Sequence, residues 1–387
     1  MPRIRTCTLI ITRGCNLNCT YCYERHKDRE SMSREMALHI MAQELQRAEK
    51  DGYATLHVSF MGGEPFLNFD VIKCVVDWFR KQATRIRLEA YATTNGTRIT
   101  DEIKEWLVAN SDLMKVQISY DGDELQQKIN RTDKYIDLDF FLNTFPMQGV
   151  HITVSKATLP SLSQGVFSVL ARGARCSTNL ACGTKWSDED AQIYLRELRM
   201  LAEGFLTRFA DKEPIPALNR SLGLVGSVPQ PMPSCRDCID CIAYDVDGVV
   251  YPCHLFSPIV VGTARTVKFS EFESDDELER YGGKIDHSCD GCVLRSWCQT
   301  CYGFNYLFTG STGRRDHSAC KMMFAQAFTA SEYQIRHFKV MGITEANAHM
   351  ARSAIRAYRV LRSSKVLKEV LNGIRNCEKL AKQVRKF

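Results

Sequence analysis

The chain has 387 residues, of which 44% are hydrophobic and 25% are charged, a composition typical of a globular protein with a sizeable core. No apolar run approaches the roughly 18 residues that cross a bilayer, and the amino terminus has no secretory signal, so we expect neither a membrane protein nor an exported one. The 17 cysteines are unusually many. In a reducing compartment clustered thiols usually bind metal, and we therefore predict a cytoplasmic protein that uses cysteines as metal ligands.

The net charge of +6 is concentrated at the carboxyl terminus. Residues 350–387 contain eleven Lys or Arg and two Glu, and the preceding part of the chain is slightly acidic. A basic segment can attract nucleic acid, an anionic membrane or an acidic peptide. Leu367, Leu371 and Ile374 recur at helical spacing, so we favour the solvated face of an amphipathic helix.

Short apolar strands alternate with amphipathic helices through the first 210 residues, as in a parallel βα repeat. A helix is predicted to begin at Ser33, and another, about Asp188–Phe209, closes the repeat. We therefore predict an α/β fold with a partial (β/α)6 barrel of the TIM type over residues 1–212. The predicted strands are Thr8–Thr12, Leu56–Met61, Leu88–Thr94, Lys115–Tyr120, Val150–Ala157 and Arg175–Ala181.

Three further segments follow the predicted barrel. Residues 213–233 contain five prolines and little periodicity, as is typical of a linker. Residues 234–325 contain nine cysteines and few helix or strand signals, so we expect metal to organise this domain. Residues 326–387 regain helical periodicity and form the predicted basic helical tail.

Three cysteines, Cys15, Cys19 and Cys22, come directly after the first predicted strand. Such closely spaced thiolates can bind three irons of a four-iron cluster and leave the fourth iron without a protein ligand. An open iron can bind a small molecule and transfer one electron to it. A zinc site that uses His26, or chance clustering, is the alternative.

This C-x3-C-x2-C triplet resembles that of the radical S-adenosylmethionine (SAM) enzymes, with Tyr21 as the aromatic residue that usually precedes the third cysteine. Gly62-Gly63-Glu64-Pro65, at the end of the second strand, is similar to the GGEP segment of the family. There, backbone without side chains lets the methionyl amine of SAM approach closely. The resemblance implies that these residues contact the cofactor.

Two more strand ends are similar to the family's segments that meet the ribose and the methionyl carboxylate of SAM. Asn95 follows the third strand, and Ser119, Asp121 and Arg131 lie at or after the end of the fourth. In a parallel barrel these positions share the carboxyl-terminal edge, where barrel enzymes build their active sites. Asn95 can alternatively form a simple turn, and Arg131 a surface ion pair.

The resemblance implies a definite chemistry. The cluster donates an electron that cleaves SAM to methionine and a 5′-deoxyadenosyl radical, which abstracts a hydrogen from the substrate, while the protein positions the cofactor. An external electron donor such as flavodoxin or ferredoxin is expected as a partner.

The nine later cysteines resemble the SPASM extension of radical SAM enzymes, which commonly holds two more [4Fe–4S] clusters. Two such clusters need eight thiolates. The family spacing fits Cys238 and leaves either Cys235 or Cys241 as the surplus residue. By resemblance the first auxiliary cluster takes Cys253 and Cys301 with members of that trio, and the second takes Cys289, Cys292, Cys298 and Cys320.

One spacing departs from the family pattern. Two residues, in place of three, separate Cys298 from Cys301, which puts in doubt which cluster Cys301 serves. A pair of zinc ribbons that binds nucleic acid is the alternative interpretation of the cysteine pairs. We expect three [4Fe–4S] clusters and no nucleic-acid partner.

His254 bears on the substrate. It follows Cys253 at the position where the anaerobic sulfatase maturases have a catalytic aspartate. Histidine can accept a proton near neutral pH, so His254 is a candidate proton acceptor, but the family carboxylate is missing. Cys176 and Cys182 flank the sixth strand, and Cys176 is a candidate hydrogen-atom donor.

We therefore predict a radical SAM maturase that installs a crosslink, thioether or similar modification in a ribosomally made precursor peptide. A sulfatase-maturing (formylglycine-forming) enzyme is the alternative. Only about six residues precede the first strand, so peptide recognition is expected to need a separate chain, the extension or the basic tail.

Overall fold

The computed structural model describes residues 3–227, 241–272, 287–298 and 301–372. The predicted ligands Cys235 and Cys238 and the last part of the tail lie outside these ranges.

Six parallel strands form the sheet of the barrel half, in the spatial order in which they occur along the chain. Each lies where the sequence predicts it, so the α/β fold with a parallel sheet is confirmed. The strands are β1 Ile4–Thr12, β2 Thr55–Gly62, β3 Arg87–Thr94, β4 Met114–Ser119, β5 Val150–Val154 and β6 Cys176–Leu180.

Helices connect these strands and cover one face of the sheet. Local signals set their ends: the Ser33 side chain accepts a hydrogen bond from the Met36 amide, and Ser187 forms a capping box with Asp190, which satisfies otherwise unpaired amides. The helices are α1 Arg34–Lys50, α2 Phe69–Phe79, α3 Asp101–Ala109, α4 Glu124–Asn130, α5 Leu138–Thr144, α6 Leu162–Ala171 and α7 Asp188–Leu206.

The two faces of the sheet differ in chemistry because side chains alternate along each strand. Val58, Val116 and Ile152 face the helices and are buried in the main core. The opposite face, which we call the inner face, carries polar side chains that bond one another: Tyr91 Oη donates to Gln117 Oε1 at 2.8 Å. The inner-face residues include His57, Tyr91, Gln117, His151 and Ser177.

The cysteine-rich region continues the sheet, which the sequence did not predict. β7 (Cys241–Tyr244) pairs in parallel with β1, and the two-residue β8 (Val250–Tyr251) pairs antiparallel with β7. Few strand signals occur in this part of the sequence because strands this short show no periodicity. One short helix, α8 Pro216–Asn219, precedes the hairpin. Two helices, α9 Pro258–Val261 and α10 Tyr302–Thr309, follow it.

Residues 213–227, the described part of the predicted linker, pack against the rest of the chain. Ile215, Leu222 and Val225 are buried. Gln334 Nε2 donates to the carbonyl oxygens of Leu218 and Arg220, at 3.0 Å each.

The carboxyl-terminal part is helical, as predicted, wherever the structure describes it. α11 (Cys320–Met341) packs on α7, and α12 (Ala348–Ser363) packs on α11. Residues 365–372 are also helical. Within the described ranges, we find no helix with the length and apolarity that crossing a bilayer requires.

Candidate functional site

The cysteine triplet lies on a loop at the carboxyl-terminal edge of the sheet. Cys15, Cys19 and Cys22 are partly buried, and the Cys22 amide donates to the Cys19 carbonyl at 3.1 Å, which closes a tight turn. Burial raises the pKa of Cys15 and of Cys19. A bound metal cation reverses that effect and deprotonates its thiols, so this donor set fits an iron–sulfur cluster.

The backbone of Gly62 and Gly63 packs directly against that loop. A Cβ at Gly63 would lie 2.7 Å from the Cys15 Cβ and 2.4 Å from the Gly14 carbonyl oxygen. A Cβ at Gly62, where φ is +136°, would lie 1.9 Å from the Thr12 carbonyl oxygen. These contacts leave no room for a side chain, so the Gly–Gly pair is needed for packing of the cysteine loop in addition to any contact with a cofactor.

The carboxylate of Glu64 is buried and fully engaged. It accepts hydrogen bonds from Thr94 Oγ1 at 2.7 Å, from the Asn95 amide at 2.8 Å and from the Phe66 amide at 3.1 Å. Burial raises the pKa of Glu64, and these hydrogen bonds oppose the rise. The Glu64 side chain therefore connects the end of β2 to the end of β3 through hydrogen bonds.

Asn95 connects the third strand end to the cysteine loop. Its Nδ2 donates to Asn16 Oδ1 at 3.1 Å, and Asn16 Nδ2 donates to Thr97 Oγ1 at 2.7 Å. Thr97 Oγ1 in turn donates to Asn95 Oδ1 at 2.7 Å. This closed ring of polar side chains fixes the loop between Cys15 and Cys19.

Asp121 is the centre of a second network. Its Oδ2 accepts from Tyr21 Oη at 2.6 Å, from Asn130 Nδ2 at 3.0 Å and from Arg131 Nε at 3.3 Å. Its Oδ1 accepts from the Thr153 amide at 2.9 Å. The guanidinium of Arg131 also lies 5.4 Å from the centre of the Tyr21 ring, a cation–π distance.

The predicted residues from three loops thus meet at one edge of the sheet. Arg131 forms a buried ion pair with Asp121, and the alternative of a surface ion pair is wrong. Ser119 is buried at the end of β4, where it pairs in register with His151 of β5.

Sequence analysis missed His151 as a site residue. Its pKa is lowered, mainly by burial and then by Arg131, while Asp121 opposes the change. His151 Nδ1 lies 3.2 Å from Ser177 Oγ. The alternation of polar and apolar residues along β5 could have shown that His151 faces away from the helix-covered core.

Five of the predicted auxiliary ligands line one cavity of about 240 Å³: Cys301 and the four predicted for the second cluster, Cys289, Cys292, Cys298 and Cys320. Cys182 of the barrel half lines the same cavity. Burial raises the pKa of Cys320 to about 12, and Cys298, Cys289 and Cys292 add to the rise, so the four thiols are close neighbours. Arg315 Nη1 donates to the Cys298 carbonyl at 3.2 Å and places a cation beside them.

No group of three or more His, Cys, Asp or Glu side chains in the described ranges has the arrangement that holds a single metal ion. A four-iron cluster needs a different arrangement, because each thiolate binds its own iron. The four thiols predicted for the second cluster fit such a cluster. His317 also lines the cavity, with its Nδ1 3.4 Å from Cys320 Sγ.

The β7–β8 hairpin brings two further cysteines to one end. Ala243 pairs with Tyr251, Cys241 precedes Ala243 by two residues, and Cys253 follows Tyr251 by two. In an antiparallel pair this register directs the two cysteines to the same end and face of the hairpin.

His254 lies next to the cysteine loop. Its Nε2 is 3.4 Å from Tyr23 Oη, and Tyr23 packs edge-on against Phe304 with 5.3 Å between ring centres. Burial lowers the pKa of His254 to about 4, so the imidazole is neutral at pH 7. A neutral imidazole can accept a proton, but a pKa so far below neutral pH makes His254 a weak base.

Cys176 lies away from these groups. It is the first residue of β6 and pairs with Val150. It therefore lies at the end of the strand opposite to the carboxyl-terminal edge that carries the cysteine loop. Val150 packs in the helix-covered core, so the Cys176 side chain is on the outer face of the sheet. This placement does not support Cys176 as a hydrogen-atom donor.

Comparisons with known proteins agree with this geometry. The Radical SAM superfamily model matches residues 9–145. The chain is 29% identical over 175 residues to an uncharacterized protein of Methanocaldococcus jannaschii (43% of this chain, 59% of the relative). It is 28% identical over 118 residues to the radical SAM cyclopropyl synthase TigE of Paramaledivibacter caminithermalis (27% and 25%).

A cysteine-type anaerobic sulfatase-maturating enzyme of Clostridium perfringens is 28% identical over 141 residues (34% of this chain, 37% of the relative). The matches thus span between a quarter and about three-fifths of the lengths of these relatives.

Solved structures share the fold over most of the chain. The anSMEcpe structure with bound AdoMet and a peptide superposes with a TM-score of 0.65 at 18% identity, over 88% of this chain and 100% of that one. Streptococcus suis SuiB bound to its precursor peptide SuiA superposes with a TM-score of 0.53 at 17% identity, over 82% and 76%. The family to which these matches point implies SAM and a SAM-binding [4Fe–4S] cluster, for which Cys15, Cys19 and Cys22 are the matching residues. The chain therefore carries a radical SAM domain, matched over residues 9–145, which include the cysteine loop and strands β2 to β4.

Proposed function

We propose that this protein is a radical SAM peptide maturase, which modifies a residue of a ribosomally made precursor peptide. The observation that carries the proposal is the convergence of the cysteine loop, the Gly62-Gly63 backbone and the Asp121–Arg131 pair at one edge of the sheet, beside an extension whose thiols share a cavity. The bound cluster and SAM would supply a 5′-deoxyadenosyl radical, the species that abstracts hydrogen.

The described residues have distinct positioning roles in this proposal. Cys15, Cys19 and Cys22 bind the cluster. Gly62 and Gly63 offer close backbone approach to SAM, and Asn95, Ser119 and Arg131 line the same edge. Tyr21 and Asp121 hold Arg131 in place through the 2.6 Å and 3.3 Å contacts to the carboxylate, so the guanidinium is preorganised to meet an anionic group such as the methionyl carboxylate.

The extension is proposed to hold two auxiliary [4Fe–4S] clusters. The shared cavity supports Cys289, Cys292, Cys298 and Cys320 as one ligand set. For the other set, the hairpin register favours Cys241 as a partner of Cys253, and Cys301 and Cys253 pack against the same apolar cluster. Iron and sulfide analysis after anaerobic reconstitution tests this: about twelve irons per chain are expected, about four would remove the auxiliary clusters, and zinc without iron would contradict the whole proposal.

A peptide substrate is supported by the likeness to structures whose peptide is bound in place. The test is incubation of the reconstituted protein with SAM, a reductant such as reduced flavodoxin and the peptide encoded beside its gene. Release of 5′-deoxyadenosine together with a mass change in the peptide is expected. Release of 5′-deoxyadenosine with an unmodified peptide would keep the radical chemistry and reject this substrate.

A sulfatase-maturing activity is the second candidate, because the anSMEcpe fold covers 88% of the chain. His254 would then have to accept the proton that the family aspartate accepts. A sulfatase-derived peptide with Cys or Ser at the target position discriminates the two candidates. An aldehyde product would favour sulfatase maturation, and its absence alongside modification of the precursor peptide would favour the maturase.

A further inference from the structure

One thiol of the barrel half lines the cavity that contains the cysteines of the extension. Cys182 comes two residues after the end of β6, at the same edge of the sheet as the cysteine loop. It lines the 240 Å³ cavity together with five cysteines of the extension. Its Sγ lies 4.0 Å from the Leu180 carbonyl oxygen, a contact too long to hold a thiol strongly.

The loop that carries Cys182 is attached to the extension by its neighbours. A Cβ at Gly183 would lie 2.2 Å from the Phe308 ring, so the α10 aromatic packs directly on the loop backbone. Ser318 Oγ donates to the Thr184 carbonyl at 3.0 Å, and Lys321 Nζ contacts Asp188 at 2.7 Å. These contacts hold the thiol in a fixed position relative to the cavity.

The six cysteines of the cavity divide into two groups. Cys320 has Cys298, Cys289 and Cys292 as its charged neighbours. Cys182 instead has Cys301: burial raises the pKa of Cys182 to about 12, and Cys301 and then Asp316 add to the rise.

Tyr23, in the cysteine loop, links this second group to Cys253. Burial raises its pKa, and both Cys182 and Cys253 contribute to the rise. Cys182 and Cys301 line the same cavity, and Cys301, Cys253 and Tyr23 pack against the same apolar cluster. The three thiols therefore lie at the same part of the interface between barrel and extension.

We propose that Cys182 supplies a thiolate ligand to the iron–sulfur cluster that Cys301 binds, so that the barrel and the extension hold this cluster jointly. The inference rests on the proposed auxiliary clusters. Cys182, Cys253 and Cys301 would then supply three of the four thiolates of this cluster.

The test compares Cys182→Ala with Cys301→Ala and with the control Cys74→Ala, which removes a partly buried thiol on α2. Each full-length protein is reconstituted anaerobically, and iron, sulfide and the electron paramagnetic resonance spectrum of the reduced protein are measured. The Cys182 and Cys301 variants are expected to lose up to about four of about twelve irons, or to change the same auxiliary signal. The signal of the SAM-binding cluster should persist in both and so report that the barrel is folded.

Alkylation of the native protein gives a second readout that does not depend on activity. Cys182 should be protected in the reconstituted wild type and modified after iron is removed. Wild-type iron content and spectrum in Cys182→Ala, with Cys182 alkylated equally in both forms, would overturn the inference and leave the auxiliary clusters intact. A wild-type protein with only about four irons would overturn the auxiliary clusters and this inference together.

Discussion

Arg13 and Asp245 form an ion pair that joins the cysteine loop to the extension, with 2.8 Å between Arg13 Nη2 and Asp245 Oδ2. Arg13 immediately precedes the loop that begins at Gly14, and Asp245 immediately follows β7. The Asp245 carboxylate is completely buried. The two halves of the proposed active site are therefore connected through one desolvated charge pair.

Asp245→Ala should destabilise the protein by about 3 kcal/mol, because it leaves the Arg13 charge poorly compensated in a buried position. Asp28 also contacts Arg13, at 3.1 Å, but is 43% exposed, and Asp28→Ala is the matched control, with an expected loss below about 1 kcal/mol. Denaturant unfolding under anaerobic conditions measures both. Equal losses of unfolding free energy in the two variants would show that the buried Arg13–Asp245 pair stabilises the protein no more than the exposed Arg13–Asp28 pair.

Gly63→Ala should prevent the cysteine loop from binding its cluster, because the added methyl would overlap Cys15 and the Gly14 carbonyl. The expected result is a loss of about four irons per chain and of SAM cleavage. Gly223→Ala is the control, since a Cβ there meets nothing closer than 3.7 Å. Normal iron content in Gly63→Ala would contradict the packing role of this residue.

Tyr21→Phe removes the hydroxyl that donates to Asp121 at 2.6 Å. A hydrogen bond to a buried charged acceptor contributes about 2 kcal/mol, so unfolding should become easier by that amount. Tyr135→Phe is the control, because Tyr135 is 86% exposed and its loss should cost less than about 0.5 kcal/mol. Equal shifts of the unfolding midpoint in Tyr21→Phe and Tyr135→Phe would show that the hydrogen bond to Asp121 does not stabilise the protein.

His151 should make stability depend on pH below neutrality. Its pKa in the folded protein is lowered by burial and by Arg131, so below about pH 6.5 the unfolded chain takes up a proton that the folded protein does not. Stability from this group is therefore present above that pH and is lost as the pH falls toward the folded pKa. Relative to His151→Gln, wild type should lose stability as the pH falls below about 6.5. A wild type that gains stability relative to His151→Gln on acidification would mean that the folded pKa is raised.

The sequence predicted the six barrel strands and the segments of the SAM site, because both depend on local patterns. Alternation of apolar residues reports a strand, and in a parallel sheet every strand end falls on one edge. It could not show that the Asp121 carboxylate holds Arg131 through Tyr21, since those residues meet only after three loops fold together. It also missed β7 and β8, whose four and two residues are too short for any periodicity.

What the sequence by itself determined is therefore the chemistry of the ligands: three cysteines with the spacing of an open cluster and an extension rich in thiols. Tertiary structure decided which thiols are neighbours. It put Cys176 on the helix-covered face and Cys182 in the cavity with Cys301, although Cys176 begins the strand that Cys182 follows by two residues. The physical reason is that side chains alternate along a strand and its two ends lie on opposite edges of the sheet, so proximity in sequence does not determine which site a thiol reaches.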